Sequence, residues 1–281
     1  MRLRHYFRLL RLHKPIGILL LWWPTAWALW LASEGKPPSL LILLFLLGTV
    51  CMRSAGCVIN DIADRHIDLH VERTKTRPLT AGHVTLMEAF GLLFLLLLLA
   101  LFVLLQLPRQ CFYYALLAVV VTLLYPFCKR FIQSPQLILG IAFSMGIPMA
   151  YAALDHNLDK TMMLLLFINF MWVVTYDTEY AMVDRDDDLR IGVKSTAILF
   201  ASYDKLVIAL LQISLHLLWL PLVITLNSSF FGGCWIYAAL NLAYQQRLIS
   251  KREPVNCLNA FTSNNWYGLT MWLGLMGAMW N

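Results

Sequence analysis

Charged side chains are scarce in this sequence. Asp, Glu, Lys and Arg together make up 14% of its 281 residues, whereas soluble domains carry about 25%. Apolar residues make up 60% of the chain, and the mean hydropathy is +0.67. This balance excludes an ordinary soluble domain and predicts a protein that crosses a membrane many times. The net charge of +6 does not indicate a nucleic-acid partner, because basic residues concentrate in the cytoplasmic loops of membrane proteins.

Paired cysteine motifs are missing as well. The six cysteines form no Cys-x-x-Cys pair, and their positions do not suggest the disulfide framework of a small secreted domain. We therefore predict that they are buried thiols in a reducing or lipid environment.

Long apolar stretches occupy most of the chain. Nine of them approach the roughly 20 residues with which a helix crosses the hydrocarbon core of a bilayer. They are about 16–33, 40–59, 86–106, 111–127, 135–153, 161–183, 204–226, 231–248 and 265–280. The sequence therefore predicts an all-α integral membrane protein with nine transmembrane helices. We expect a single domain over residues 1–281, made of two pseudo-repeat halves at about 1–130 and 131–281.

The basic residues divide unequally between the two sides of this predicted topology. Nineteen of the 22 lysines and arginines fall in one alternate set of loops, and only Lys36, Arg109 and Lys160 fall in the other. Because basic loops face the cytoplasm, the N-terminus is predicted inside and, with nine spans, the C-terminus outside. The two long polar loops, about 60–85 and 184–203, are then cytoplasmic.

Aspartates cluster at the end of the second apolar stretch. Asp61, Asp64 and Asp68 follow Asn60 at successive spacings of three and four residues, which places the three carboxylates on one face of a helix. Neighbouring carboxylates repel one another unless a cation lies between them. A solvated helix end would explain the cluster too, but ionisable groups near membrane depth are functional by default. We therefore favour a binding site.

A second acidic stretch follows about 120 residues later. Asp184 and Asp188 come after the sixth apolar stretch, and Asp177 shares their predicted helical stripe. Mg²⁺ prefers carboxylate oxygens and is commonly completed by substrate phosphates, so two such faces predict a magnesium site with positions open for a diphosphate. The predicted metal ligands are Asp61, Asp64, Asp68, Asp184 and Asp188, and all except Asp61 are also predicted to be catalytic.

Basic side chains accompany the aspartates on the predicted cytoplasmic side. Arginine offers a planar fork that suits phosphate or carboxylate, and lysine offers a point charge. The candidates for binding phosphate oxygens are Arg53, Arg65, Lys129, Arg130, Arg185 and Lys194. The positive-inside rule alone would also place basic residues here, so the sequence indicates the group rather than its individual members.

These motifs resemble those of a known family. Asn60-Asp61-x-x-Asp64-x-x-x-Asp68 and Asp184-x-x-x-Asp188 are similar to the two aspartate-rich motifs of the UbiA-type intramembrane prenyltransferases. Other similar segments are Lys14-Pro15-Ile16-Gly17, Trp23-Pro24-Thr25, Arg77-Pro78-Leu79, Tyr125-Pro126-Phe127 and Gly192-x-Lys194-Ser195-Thr196. The resemblance covers nearly the whole chain.

The resemblance implies a fold and an activity. The expected fold has nine helices around a central cavity, capped on the cytoplasmic side by the two aspartate-rich loops, in the bacterial inner membrane. The expected reaction transfers the chain of a polyprenyl diphosphate to the ring carbon ortho to the hydroxyl of 4-hydroxybenzoate, with Mg²⁺ as cofactor, in ubiquinone biosynthesis. The expected substrate-binding residues are Lys14, Arg53, Asn60, Arg65, Lys129, Arg130, Asp177 and Lys194. Arg130, or Lys129, is expected to bind the carboxylate of the acceptor, and Arg53 and Arg65 the diphosphate.

Three other functions are compatible with parts of the pattern. One is the same chemistry with another acceptor, such as a naphthoate or haem. Another is a metal-ion or proton-coupled transporter, which the absence of acidic residues at mid-span disfavours. The third is a lipid-binding membrane protein without catalysis, which would not need two matched acidic stretches.

Overall fold

The computed structural model describes residues 2–156 and 159–280, except for the side chain of Lys129. Every regular element in these ranges is helical, which confirms the predicted all-α class. The α-helices are α1 (Arg2–Leu9), α2 (Ile16–Ala32), α3 (Ser39–Asp64), α4 (Leu86–Leu104), α5 (Gln110–Phe131), α6 (Pro135–Ser144), α7 (Gly146–Ala153), α8 (Lys160–Ala181), α9 (Arg185–Ile191), α10 (Thr196–Leu199), α11 (Asp204–Leu217), α12 (Leu220–Leu226), α13 (Ser229–Ile249) and α14 (Pro254–Ala278). Two 3-10 turns, Asp68–His70 and Ala201–Tyr203, precede α4 and α11.

Each of the nine predicted apolar stretches coincides with helix. Within the described ranges, six helical stretches are long and apolar enough to cross a membrane: Ser39–Asp64, Leu86–Leu104, Gln110–Cys128, Pro135–Ala153, Lys160–Ala181 and Ala201–Leu226. The chain is therefore a membrane protein, and the number of nine crossing segments stays a prediction. The last stretch was predicted too short. The first turns of α14 contain polar residues, so hydropathy alone does not identify them as part of the helix.

Two of the predicted spans are divided where a proline interrupts the helix. Proline has no amide donor, and its ring collides with the carbonyl four residues earlier. Pro148 lies four residues after Ser144, the last residue of α6. Pro221 likewise lies four residues after Leu217, the last residue of α11. Each of these spans is therefore two helices in series.

The protein core is built around α2. The Trp27 ring is fully buried and packs against Trp172 and Trp219, with ring centroids 5.2 and 5.1 Å away. Its indole nitrogen donates to the carbonyl oxygen of Gly268 on α14, 3.1 Å away. A Cβ atom at Gly268 would collide with the rings of Trp23 and Trp172, so glycine permits this close packing. Helices α4 and α5 instead expose most of their large apolar side chains, as expected where lipid replaces protein neighbours.

The two aspartate-rich segments meet at one end of the bundle. Residues 65–85 follow α3, and residues 182–203 follow α8. The backbone amide of Glu72 donates to the Asp187 carboxylate over 3.1 Å, and the Arg73 guanidinium binds the carboxylate of Asp184. These contacts join the two segments directly. The cytoplasmic orientation of this end stays a prediction.

Candidate active site

A cavity of about 720 Å³ lies where these two segments meet. Both acidic stretches contribute to its lining, through Asn60, Asp61, Asp64, Asp68, Asp177, Asp184 and Asp188. Residues that are far apart in the sequence therefore face one common volume. Its size is in the range of cavities that hold small organic ligands.

The acidic stretches are not the uninterrupted helical faces that their spacing predicts. Asp61 and Asp64 occupy the last turn of α3, but the helix ends at Asp64 and Asp68 begins a separate 3-10 turn. Asp184 similarly lies between α8 and α9, so it does not share one helix with Asp177. The prediction of a single helical stripe was wrong in both places, because the chain turns back over the cavity between the aspartates.

Arginines that the sequence analysis did not assign to the site hold the aspartates. Asp61 accepts hydrogen bonds from Arg11 at 2.8 Å and from Arg77 at 3.1 Å. Arg77 also donates to Asp68 over 2.6 Å, so its guanidinium joins the two carboxylates. On the second stretch, Asp184 is bound by Arg73 through two guanidinium nitrogens.

Only one of these three arginines could have been identified from the sequence. Arg77 belongs to the segment Arg77-Pro78-Leu79, which resembles a family motif, and that segment could have identified it. Arg11 and Arg73 are indistinguishable in sequence from other basic residues of the loops. Their role follows only from the fold, which brings α1 and residues 65–85 against the aspartates.

These ion pairs are largely withdrawn from solvent. The side chain of Asp61 is 1% exposed and that of Arg77 is 18% exposed. Burial raises the pKa of the Asp68 carboxyl, an effect that the neighbouring charge of Arg77 opposes. Removing one partner of a buried pair leaves an uncompensated charge and costs about 3–5 kcal/mol. The arginines therefore stabilise the carboxylates in an otherwise unfavourable position.

The predicted basic residues occupy different positions relative to the cavity. Lys14, Arg53, Arg130 and Lys194 contribute to its lining. Arg65 instead donates back to the carbonyl oxygen of Ile62, and Arg185 is directed towards Asp204. The side chain of Lys129 lies outside the described residues. The structure thus brings four of the predicted basic residues to the acidic stretches, in addition to the arginines described above.

Arg130 is exposed and Lys194 is half-buried, and each is held by a backbone carbonyl. The Arg130 guanidinium donates to the carbonyl oxygen of Ala63 over 3.1 Å, next to the aspartates of the first stretch. The Lys194 ammonium donates to the carbonyl oxygen of Phe131 over 3.0 Å. Both cations therefore lie at the mouth of the cavity, at the level of the acidic residues.

Arg53 lies deeper than these residues. It precedes Asn60 on α3 by seven residues, or about 10 Å along the helix axis. Its guanidinium carbon is 5.7 Å from the centre of the Phe143 ring, and its buried Nε atom has no hydrogen-bond partner among the described residues. A Cβ atom at Gly17 would collide with this guanidinium, so glycine leaves room for it. The inner wall of the cavity thus presents a cation with an unused donor.

Aromatic side chains complete the inner wall. Tyr125, Phe143, Tyr176, Tyr180 and Phe261 all line the cavity. The rings of Tyr180 and Phe261 are 4.7 Å apart, and Tyr180 also lies 4.8 Å from the guanidinium carbon of Arg73. The cavity therefore has a charged mouth and an aromatic interior.

The sequence profile of the UbiA prenyltransferase family matches residues 21–274. The chain belongs to this family. It is 62% identical over 271 residues to "4-hydroxybenzoate octaprenyltransferase" of Legionella pneumophila subsp. pneumophila strain Philadelphia 1, with 96% of each chain covered. It is also 50% identical over 276 residues to the protein of the same name from Edwardsiella ictaluri, with 98% of this chain and 96% of that one covered.

Solved structures of UbiA homologues share the fold. The apo structure of a homologue from Aeropyrum pernix K1 has a TM-score of 0.80 at 22% identity and covers 93% of this chain and 98% of that one. The structure of a homologue from Archaeoglobus fulgidus, bound to GPP and Mg²⁺, has a TM-score of 0.73 at 18% identity, with 95% and 99% covered. The identity of this UbiA family member to both is low, so the likeness concerns the fold.

The side chains of the UbiA site are of the types that Mg²⁺ prefers. Carboxylate oxygens and the amide oxygen of Asn60 are hard ligands, and Mg²⁺ keeps open positions for water and phosphate. Among the described residues, no three His, Cys, Asp or Glu side chains are gathered closely enough to enclose an ion. Arg77 and Arg73 occupy carboxylate oxygens of Asp61, Asp68 and Asp184 instead. These side chains therefore fit Mg²⁺, and the arginines compete with the metal for the same carboxylate oxygens.

Proposed function

We propose that this UbiA family member transfers the polyprenyl chain of a polyprenyl diphosphate to the ring carbon ortho to the hydroxyl of 4-hydroxybenzoate, in the pathway to ubiquinone. The observation that carries the proposal is one cavity with two acidic stretches at its mouth and an aromatic wall inside. The names of relatives that are 62% and 50% identical over nearly the whole chain support the acceptor.

The mouth of the cavity is the proposed site of the diphosphate. Asp61, Asp64, Asp68, Asp184 and Asp188 would hold Mg²⁺, directly or through water, with Asn60 and Asp177 beside them. When bound, Mg²⁺ supplies positive charge that neutralises the diphosphate and its leaving oxygen. Arg73, Arg77, Arg130, Lys14 and Lys194, which line the same cavity, would donate to the remaining phosphate oxygens.

The aromatic interior is the proposed site of bond formation. Departure of the diphosphate leaves positive charge on the allylic carbon, which water would quench. The walls formed by Tyr125, Phe143 and Tyr176 exclude water, and the negative faces of their rings favour a cation. The ring of the acceptor lies between this wall and the diphosphate, so its ortho carbon bonds to the allylic carbon as the bond between that carbon and the diphosphate oxygen breaks. A base then removes the ortho proton, and the ring regains its aromaticity.

The geometry favours exchanging two roles that the sequence analysis assigned. A carboxylate that enters an apolar interior needs a cation, because an unpaired buried charge is very costly. Arg53 is on the inner wall with a buried and unused donor, whereas Arg130 is exposed at the level of the aspartates. We therefore assign the acceptor's carboxylate to Arg53 and a phosphate contact to Arg130.

The proposed placement in the membrane completes the function. We propose nine crossing segments, a cytoplasmic N-terminus and a bacterial inner-membrane location, with residues 65–85 and 182–203 forming the cytoplasmic cap. The unequal distribution of lysine and arginine between the two sets of loops supports this orientation. A soluble aromatic acid then enters from the cytoplasm, and the apolar donor enters from the bilayer.

The deciding experiment is a substrate panel with the purified protein in detergent. Octaprenyl diphosphate is supplied with 4-hydroxybenzoate, a dihydroxynaphthoate or haem, with and without Mg²⁺, and products are identified by mass. We expect prenylated 4-hydroxybenzoate and release of diphosphate only when Mg²⁺ is present. Product with naphthoate or haem alone would transfer the activity to that acceptor. Absence of metal-dependent diphosphate release with every acceptor would contradict a prenyltransferase and favour transport or lipid binding.

A further inference from the structure

A buried carboxylate follows the second aspartate-rich segment and lies outside the described lining of the cavity. Asp204 is the first residue of α11, and its side chain is fully buried. It takes no part in the proposed chemistry. A buried charge is unfavourable unless charged partners and hydrogen bonds compensate it, so the partners of Asp204 indicate what this residue does.

The guanidinium of Arg252 is the main partner of this carboxylate. Arg252 lies in the turn between α13 and α14, and two of its nitrogens donate to the two oxygens of Asp204 over 2.9 and 2.6 Å. The backbone amide of Lys205 donates to the same carboxylate over 2.7 Å. Beside these residues, Ile208 on α11 and Ile249 on α13 belong to one apolar cluster. The Asp204 carboxylate is therefore fixed to the ends of packed helices.

A further partner of Asp204 belongs to the second acidic stretch. Arg185 is the first residue of α9 and directly follows Asp184. One terminal nitrogen of Arg185 donates to Asp204 over 3.5 Å. None of the residues of α9, all of which the structure describes, is buried. Packing therefore contributes little to holding this helix in place, and the contact with Asp204 contributes more.

The short helix α9 determines where two of the proposed metal ligands lie. Asp184 precedes α9 and Asp188 lies within it, and both line the cavity. On the cavity side, Asp184 is bound by Arg73, which belongs to residues 65–85, themselves a loop segment. The contact of Arg185 with Asp204 instead joins α9 to a stretch that is long and apolar enough to cross the membrane. The positions of both aspartates therefore depend on this contact.

We propose that Asp204 is a positioning residue, which holds Arg185 and thereby keeps Asp184 and Asp188 in the cavity where the diphosphate and its metal bind. This inference rests on the proposed function and adds to it a residue that touches neither substrate. Without the charge of Asp204, Arg185 is released beside the carboxylates of its own stretch. It then competes for them with the bound cation.

The first test compares the KM values of the two substrates. In Arg185→Gln, the KM for octaprenyl diphosphate should rise by about tenfold, the loss expected for one hydrogen bond to a charged group. The KM for 4-hydroxybenzoate should stay unchanged, since α9 is not expected to contact the acceptor. Asp204→Asn should show the same split, and Arg185→Lys, which keeps the charge, should recover part of the donor affinity.

The matched control is Arg190→Gln, which removes a positive charge from the same helix without touching Asp204. The side chain of Arg190 is 77% exposed, and its ion pair of 3.6 Å with Asp187 stays within α9. Exposed pairs of this kind contribute little to stability. Both KM values should therefore remain at the wild-type level in this variant.

The second test is independent of activity. Hydrogen exchange of the backbone amides of residues 185–191 is followed by mass spectrometry in the full-length protein in detergent, without substrate or metal. We expect exchange to become about tenfold faster in Arg185→Gln and Asp204→Asn, because a local contact that holds the helix is lost. Exchange in α8 should not change in either variant, and Arg190→Gln should match the wild type throughout.

The possible outcomes separate this inference from the proposed function. An unchanged donor KM or unchanged exchange of α9 in Arg185→Gln would overturn the inference. An equal rise of both KM values, or the same effects in Arg190→Gln, would also overturn it, since a general loss of structure or charge would then be the cause. Failure of the wild-type protein to prenylate 4-hydroxybenzoate would instead overturn the proposed function. If Asp204→Asn does not insert, Arg185→Gln and its control decide.

Discussion

The deep guanidinium of Arg53 provides the sharpest test of how the cavity recognises its acceptor. We expect Arg53→Ala to raise the KM for 4-hydroxybenzoate by about 10- to 100-fold. The estimate follows because a hydrogen bond to a charged group contributes about 1.5–3 kcal/mol, and about 1.4 kcal/mol corresponds to a factor of ten. A guanidinium and a carboxylate form two parallel hydrogen bonds, so the upper part of this range applies if both are made.

The KM for the polyprenyl diphosphate should change much less in this variant. Arg53 is separated from Asn60 by seven residues of α3, or about 10 Å, and the diphosphate is expected among the aspartates. Arg130, held at the level of those aspartates by the carbonyl of Ala63, should show the reverse pattern. Arg130→Ala is therefore expected to raise the KM for the donor more than that for the acceptor.

Two further variants separate the charge of Arg53 from its position. Arg53→Lys keeps the charge but loses the planar fork, so it should recover part of the affinity for 4-hydroxybenzoate. Gly17→Ala leaves Arg53 intact but introduces a Cβ atom that collides with its guanidinium. We expect this substitution to raise the acceptor's KM as well, with a smaller effect than Arg53→Ala.

The assay varies each substrate at saturating concentrations of the other and of Mg²⁺, and reports both KM values for every variant. Quantities of correctly folded protein are matched by size-exclusion chromatography in detergent. The reasoning is refuted if Arg53→Ala acts mainly on the donor while Arg130→Ala acts mainly on the acceptor. That result would restore the assignment made from the sequence.

The remaining predictions concern the acidic stretches, their arginines and the topology. Asp64→Ala and Asp188→Ala should each abolish most turnover, and the double variant should lose little more, because both residues serve one leaving group. Asp155→Ala, between α7 and α8, should reduce turnover only slightly. An equally severe loss in Asp155→Ala would contradict a site confined to one end of the bundle. Arg77→Gln should lower the apparent melting temperature by about 5–15 °C, since it leaves buried carboxylates uncompensated, and an unchanged value would show that the pairs do not stabilise the fold. Reporter domains fused at the C-terminus and inserted in residues 65–85 should lie on opposite sides of the membrane. Detection of both reporters on the same side would exclude an odd number of spans.

The positions of the helices were accessible from the sequence because apolar length alone determines them. A segment such as Leu86–Leu104 has a high mean hydropathy and is long enough to span a bilayer, so it is readily interpreted as a membrane helix. The interruptions at Pro148 and Pro221 have a local cause as well, although only the structure shows that they divide the helices. Where a helix carries polar residues, as in the first turns of α14, the same argument placed its beginning too late.

The residues that form the candidate site were harder to predict from the sequence, because their proximity depends on the fold. The spacing predicted one helical stripe for Asp61, Asp64 and Asp68. The helix ends at Asp64, however, and Asp68 lines the cavity from a separate 3-10 turn. No local pattern distinguishes Arg73, which binds Asp184 across the cavity, from Arg65, which turns back to its own helix. Their different roles are set by contacts between segments more than a hundred residues apart.

The charges of the cavity distinguish an enzyme for anionic substrates from a cation pathway. Its described lining contains six aspartates, but it also contains eight arginines and lysines. A site that only conducts or stores a cation gains nothing from an excess of positive side chains, because they repel the cation and compete with it for the carboxylates. Both proposed substrates are anions, and neither could enter an acidic cavity without such cations. The excess therefore follows from the chemistry of a diphosphate and a benzoate that must be held side by side, and it argues against transport on grounds independent of the family resemblance.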